Sequence, residues 1–227
     1  MPTIRTRRRI NKTFAMLAVA LLAATFTADA AKRRRSENSF PGTFDYYLLS
    51  LSWAPDFCAL PGGNKDPREC SPGRRLGFIV HGLWPQAEAG RAAENCAASP
   101  VSGAIVNLLL NYIPSPGLIQ HEWSEHGSCT GLSAADFFAL VRQARDKVRI
   151  PADLTAPGQD RNMSPRDLTA EFAAANPAFP AAAFRATCVR GELQEVRVCF
   201  TKDLAPRRCS ASAGQCPVPA ILLRHPQ

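Results

Sequence analysis

Three of the four histidines fall in two short clusters, His81-Gly-Leu-Trp-Pro85 and His121-Glu-Trp-Ser-Glu-His-Gly127; His225 stands alone near the C-terminus. Imidazole is the side chain best suited to giving and taking protons near neutrality. The clusters therefore point to general acid–base chemistry. The competing reading is of core or surface imidazoles with satisfied hydrogen bonds, and composition alone does not separate the two. His225 reads as a solvated tail residue. A zinc site of the two-histidine helical kind needs imidazoles four apart on one face. His121 and His126 are five apart, about 140° around a helix at roughly 100° per residue. They do not present such a site, and no metal or other cofactor is expected. The pairs that do fall four apart are Glu122 with His126 and His121 with Glu125. That spacing places Glu122 to orient His126 and raise its basicity.

The elements that must carry these residues can be read from periodicity. Tyr47, Leu49, Leu51 and Trp53 alternate with Ser50 and Ser52, a strand with one apolar face. Leu76–Val80 is a short apolar strand running straight into His81. Residues 58–75 are rich in Gly, Pro and charge and read as a loop, as do residues 85–100. Ile105, Val106, Leu109 and Leu110 fit a helix that ends before Pro114. Ser133 with Asp136 is a helix start signal, and Phe137, Leu140, Val141, Ala144 and Val148 then share one face up to Pro151. Ser164-Pro165 opens another helix, with Leu168 and Phe172 inward. Residues 184–189, 193–200 and 220–224 read as strands. In the second of these, Val196, Val198 and Phe200 alternate with Glu195 and Arg197, the pattern of a sheet with one wet face. Strands and helices are interspersed without regular βαβ units, which gives an α+β fold.

The chain has 227 residues, 46% of them hydrophobic, and a formal charge of +8. That is enough for one domain with a real core. The charge is unevenly placed. Five basic residues precede Lys32, four more form the run Lys32–Arg35, and from Ser36 onward 18 basic residues meet 18 acidic ones. The body is neutral, so the charge carries no argument for nucleic-acid binding. Residues 1–12 hold five basic side chains, an uncharged run from Thr13 to Phe26 follows, and Ala28-Asp29-Ala30 offers small residues to a signal peptidase. Residues 1–31 read as a cleaved export signal, residues 32–42 as a flexible lead-in, and residues 43–227 as a single domain. No later apolar run is long enough to span a membrane, so no membrane anchor is expected after cleavage. All eight cysteines lie beyond residue 57; an even number in an exported chain reads as four disulfides, whose pairing the sequence leaves open. The expected location is secreted or periplasmic, and the expected state a monomer.

The two histidine clusters resemble the active-site segments of the ribonuclease T2 family. So do Ser52-Trp53-Ala54-Pro55 with Cys58, the run GFIVHGLWPQ, PSPGLIQHEW, the GSC at 127–129, and ELQEVRVCFTKDL near the C-terminus. The resemblance covers most of residues 43–216. It implies a disulfide-stapled α+β fold with an antiparallel central sheet and flanking helices. It also implies a metal-independent, base-tolerant endoribonuclease acting on single-stranded RNA through a 2′,3′-cyclic phosphate.

On that resemblance His81 and His126 match the acid–base pair, in an order the sequence does not give. His121 matches a phosphate-contacting histidine, Glu122 the acidic partner that polarises the site, and Trp84 an aromatic that stacks on a base. For Trp84 the alternative is a plain core residue; Trp53 and Trp123 read as core. The implied bridges are Cys58–Cys70, Cys96–Cys129, Cys188–Cys216 and Cys199–Cys209, with 188–199 and 209–216 as the alternative for the last four. One position departs from the family pattern. Glu125 stands where a lysine usually precedes the second histidine, which opens an alternative function: a weak or inactive member that only binds RNA or a protein partner. A basic residue elsewhere, such as Arg74 or Arg75, could supply the missing charge.

Overall fold

The computed structural model describes residues 41–61, 65–89, 92–96, 99–155 and 157–227. Residues 1–31, expected to be an export signal, and residues 32–40 of the expected lead-in lie outside them. Six strands form one sheet: β1 (Tyr46–Trp53), β2 (Phe78–Gln86), β3 (Arg161–Met163), β4 (Phe184–Val189), β5 (Glu192–Phe200) and β6 (Ile221–Leu223). The order is β2-β1-β5-β6-β3, and β4 pairs with β5 as well. All pairings are antiparallel except a single parallel register pair, Glu192 with Leu222.

The helices are α1 (Ala54–Ala59), α2 (Pro67–Cys70), α3 (Gly103–Leu109), α4 (Pro116–Glu125), α5 (Ala134–Asp146), α6 (Ala152–Thr155) and α7 (Pro165–Ala175). Ser102, Ser115, Ser133 and Ser164 cap α3, α4, α5 and α7 through their hydroxyls. Each cap satisfies a backbone N–H that the first helical turn leaves open. Phe137, Val141 and Ala144 of α5 and Leu168 and Phe172 of α7 pack with Leu49, Leu51 and Trp53 of β1 in the main core. The four disulfides are Cys58–Cys70, Cys96–Cys129, Cys188–Cys216 and Cys199–Cys209. No described helix is long and apolar enough to cross a membrane.

Three sequence expectations need correction. The strand read at Leu76–Val80 starts at Phe78 and does not stop at His81; β2 continues to Gln86, past a register shift opposite Ser50 and Leu51. β2 is an edge strand, and an edge tolerates Pro85, which has no N–H to give a neighbour. The stretch 58–75 is not all loop: Asp66 accepts from the Arg68 N–H and starts α2 at Pro67. The second face of β1 and β5 is not wet. Tyr46, Leu48 and Cys199 on that face form their own buried cluster with Cys209 and Ala213, because the Cys199–Cys209 bridge folds the 207–213 segment over it. Ser50 and Glu195 are as buried as the core, at 0% and 2% exposure.

Candidate active site

His81 projects from β2 and Glu195 from β5, with β1 between them. Strands sit about 4.8 Å apart, so two side chains can meet across an intervening strand only over small residues. β1 supplies Ser50, facing Gly82 and Arg197, and Ser52, facing Ile79 and Glu195. Over them the His81 Nδ1 lies 2.7 Å from Glu195 Oε1. The other oxygen of Glu195 accepts from Arg197 Nε at 2.8 Å. Burial opposes ionisation of Glu195, but the hydrogen bond and charge of His81 with the Arg197 guanidinium hold its carboxyl down at about 2. It is therefore an ionised acceptor, and His81 Nδ1 donates to it. Burial also works against a charged His81; the bond to Glu195 and the charges of Glu122, Glu195 and Glu69 outweigh it and raise the imidazole above its ordinary value.

The far nitrogen of His81, Nε2, faces Glu122 Oε1 at 3.5 Å. Glu122 comes from α4, is 1% exposed, and accepts the Trp84 indole N–H at 2.8 Å through Oε2. It packs directly on the backbone of Gly82: a Cβ there would stand 1.8 Å from Glu122 Oε2. Burial pushes the Glu122 carboxyl up to about 7; His81 and Trp84 pull it down, and the nearby charges of Glu195 and Glu125 push it further up. The expectation that Glu122 pairs with His126 is corrected here. His126 still donates its N–H to the Glu122 carbonyl at 3.2 Å, but α4 ends at Glu125, the His126 backbone turns away at φ −126°, ψ −54°, and the Glu122 carboxyl is engaged by Trp84 and faces His81.

His126 meets Trp84 instead, ring centroids 5.4 Å apart, and Trp84 meets His81 edge-on at 5.3 Å. Trp84 is thus the contact shared by the two imidazoles, and the Arg197 guanidinium lies 5.3 Å from its ring. Burial, with the positive charges of His121 and His81, pushes His126 down to about 4. His121 is exposed on α4. Asn95 donates its N–H to the Glu125 carbonyl, and Cys96 is bridged to Cys129 just past His126. The segment following β2 is thereby fastened to the turn that carries His126.

This arrangement offers one imidazole biased toward its protonated form, one held neutral at pH 7, and a carboxyl against the first. That is the equipment of a proton transfer in which one group accepts and another donates. Among the described residues, the one cluster with metal-ligand types is Cys58, Glu69 and Cys70, and both of its sulfurs are consumed in a disulfide.

The profile of the ribonuclease T2 family matches residues 44–209, which include His81, Trp84, His121, Glu122, His126, Glu195 and Arg197. The chain belongs to the ribonuclease T2 family. It is similar to a ribonuclease of Aeromonas hydrophila, 40% identical over 114 residues, 50% of this chain and 51% of that protein. It is also similar to a probable ribonuclease of Haemophilus influenzae, 30% identical over 180 residues, 74% of this chain and 61% of that protein. The chain thus spans only about half to three fifths of these two relatives. Trichomaglin, described as a novel S-like ribonuclease, shares the fold: the TM-score is 0.65 at 22% identity, over 81% of this chain and 99% of that one.

Within this candidate site, Glu195 and Arg197 are the residues that sequence reasoning missed. Their alternation with valines reads as a solvated face, and nothing local marks it as covered. Arg74 and Arg75 do not supply the charge absent at Glu125. They line a separate cavity with Arg224 and Gln227, where the Arg74 Nε donates to the Arg68 carbonyl and the Arg75 N–H to the Gln227 carbonyl. The guanidinium at the site is that of Arg197. His225 is not simply solvated; its Nδ1 lies 2.6 Å from Asp160 Oδ1. Trp53 and Trp123 are core, each donating its indole N–H to a carbonyl, of Arg224 and Ser99.

Proposed function

We propose that the protein is an exported endoribonuclease that cleaves single-stranded RNA without a metal, forming a 2′,3′-cyclic phosphate. The observation that carries this is the opposite bias of two imidazoles on one tryptophan: His126 pushed toward its neutral form and His81 toward its protonated form through Glu195. His126 takes the proton of the ribose 2′-OH as its oxygen attacks phosphorus. His81 gives its Nε2 proton to the departing 5′-oxygen. Glu195 fixes the tautomer and orientation of His81, the role a buried carboxylate plays beside a catalytic imidazole. His121, exposed on the same helix as Glu122, contacts the phosphate, and Glu122 stabilises the charge that moves between the imidazoles.

Export is supported by the composition of residues 1–31 and by four disulfides, which belong to oxidising compartments. The reading as a binding module that has lost catalysis is not favoured, because the acid–base pair and its carboxylates are complete. The test is to incubate the oxidised protein with RNA in EDTA and analyse the ends. Cyclic-phosphate and 5′-hydroxyl ends are expected. Intact RNA with a folded protein, or activity that needs added metal, would refute the proposal.

A further inference from the structure

The cavity lined by Arg74 and Arg75 has a volume of about 230 Å³ and lies outside the acid–base site. That is below the ~300–1,000 Å³ of pockets for drug-sized ligands, room for one charged group and its attachments. Four residues of its wall carry cationic side chains: Arg74, Arg75, Arg224 and His225. Two of these are engaged. Arg224 donates to Asp56 Oδ1 at 3.0 Å and to Glu192 Oε1 at 2.6 Å, and His225 Nδ1 lies 2.6 Å from Asp160 Oδ1. Arg74 gives its Nε to a neutral acceptor, the Arg68 carbonyl. Among the described residues neither Arg74 nor Arg75 is in an ion pair. On a body with 18 basic and 18 acidic residues from Ser36 onward, two adjacent uncompensated guanidinium groups are a local surplus of positive charge.

In an extended chain successive side chains point to opposite sides. Arg75 escapes that rule at φ +49°, in the left-handed region that residues other than glycine seldom occupy. The Ser71 carbonyl holds the Arg74 N–H and the Gln227 carbonyl holds the Arg75 N–H, each at 3.2 Å. The Cys58–Cys70 bridge forms part of the same wall. The backbone is thus fixed in a conformation that brings two consecutive arginines to one cavity. That cavity is also a neighbour of the acid–base site. Buried Glu69 stands in its wall and in the wall of the recess that reaches His81, and the charge of His81 acts on Glu69.

We propose that Arg74 and Arg75 form a phosphate subsite for the RNA chain, gripping a backbone phosphate beyond the scissile linkage. The inference rests on the ribonuclease reading for the identity of the polyanion. A guanidinium presents its N–H donors in a planar fork that matches two phosphate oxygens at once. Phosphate contacts fix the position and register of a nucleic acid without reading its sequence, which suits an enzyme tolerant of base. A strand seated at His81 continues past Glu69 to the two arginines. The subsite therefore serves a polynucleotide and gives nothing to a dinucleotide, whose single phosphate is the scissile one.

The test measures binding of 2′-O-methyl RNA, which lacks the attacking hydroxyl and stays intact, as a dinucleotide and as an oligomer of about twelve residues, within the site sizes of single-strand binders. Affinities are taken by fluorescence anisotropy between about 50 and 200 mM salt. Each phosphate neutralised on a single strand adds about 0.7 to the slope of log K against log salt. The double variant Arg74→Gln, Arg75→Gln should lower the oligomer's slope by about 0.7 and its affinity at 50 mM salt by at least about fivefold. Dinucleotide binding should not change, and Arg74→Lys with Arg75→Lys should keep the slope. An unchanged oligomer slope, an equal loss for the dinucleotide, or a lysine variant as weak as the glutamine one would overturn the proposal. A second measurement needs no variant: the oligomer should protect Arg74 and Arg75 of the oxidised protein from butanedione, read by peptide mass. Protection by inorganic phosphate but not by the oligomer would assign the cavity to small anions and overturn the proposal too. Because binding is read rather than cleavage, a protein that shows these effects yet leaves ordinary RNA uncut would count against the ribonuclease reading and not against this one.

Discussion

Glu195 reaches His81 across an entire strand, Oε1 to Nδ1 at 2.7 Å, over the small side chains of Ser50 and Ser52. The carboxylate that sets the charge of one imidazole therefore sits 114 residues away in sequence and two strands away in the sheet. Glu195→Gln keeps the shape and removes the charge. His81 should lose its upward shift, so the protonated acid disappears at lower pH. The basic limb of the pH–rate profile should move toward acid, and turnover at pH 7 should fall by at least about tenfold. An unchanged basic limb in a pH–rate measurement would remove Glu195 from the mechanism.

The gap over β1 can be tested from below. Ser50 Oγ is buried without a hydrogen-bond partner among the described residues, so Ser50→Ala relieves an unpaired hydroxyl and should be neutral or stabilising by up to about 1 kcal/mol. Ser50→Leu fills the space under the ion pair and should separate His81 from Glu195, with loss of activity and about 1–3 kcal/mol of stability from overpacking. Denaturant midpoints and initial rates for the two variants check both directions.

Gly82 is required by contact. A methyl group there would collide with the Glu122 carboxylate and with Trp84 Nε1, at 1.8 and 2.6 Å. Gly82→Ala should break the Glu122–Trp84 hydrogen bond and cost at least about tenfold in rate, with a stability loss of about 1–3 kcal/mol. Wild-type kinetics in a folded Gly82→Ala protein would show that Glu122 can move aside without consequence.

Much of the frame was legible in the residues. Alternation found β1 and β5, serine start signals found α5 and α7, and the two histidine motifs marked the candidate site. Less legible were the features set by distant chain. Glu195 looks like a wet-face charge until His81 and Arg197 close on its two oxygens. Glu122 looks like a partner of His126 until α4 ends one residue early, and Ser50 and Ser52 look like solvent positions although their value is their size. Helical and strand periods report a residue's neighbours along its own element; what closes over that element from elsewhere leaves no local mark.

Buried carboxyls also set the pH dependence of stability. Asp56, Glu69 and Glu122 are raised by burial to about 6, 7 and 7. Each contributes stability that is full below the unfolded carboxyl value and is lost as pH rises through the folded one. His81, also raised, adds a loss of the same sign at higher pH. His126, lowered to about 4, acts oppositely between about 4 and its unfolded value, but it is one group against the three carboxyls and His81. The thermal midpoint should therefore be higher at pH 5 than at pH 7.5. A midpoint that rises over this interval would contradict the assigned shifts.

Glu125 carries a charge that helps push Glu122 up, so it acts on the site although it holds no position in the proton path. Glu125→Lys reverses that charge beside a phosphate gaining negative charge. Turnover at neutral pH should rise by at least about tenfold, equivalent to ~1.4 kcal/mol. A folded lysine variant that is no faster would show that Arg197 already supplies what the motif lacks.

The acid–base assignment itself is tested most directly by the pH–rate profile of cyclic-phosphate formation in EDTA, for the wild type, His81→Ala and His126→Ala. The wild-type profile should be a bell whose acidic limb reflects His126, depressed to about 4, and whose basic limb reflects His81, above its ordinary value. Each alanine variant should lose at least about a hundredfold in rate, the usual scale of a positioned proton donor or acceptor. His126→Ala should remove the acidic limb, and His81→Ala the basic one. Limbs exchanged between the two variants would reverse the roles of acid and base; a bell that survives either substitution would contradict the mechanism.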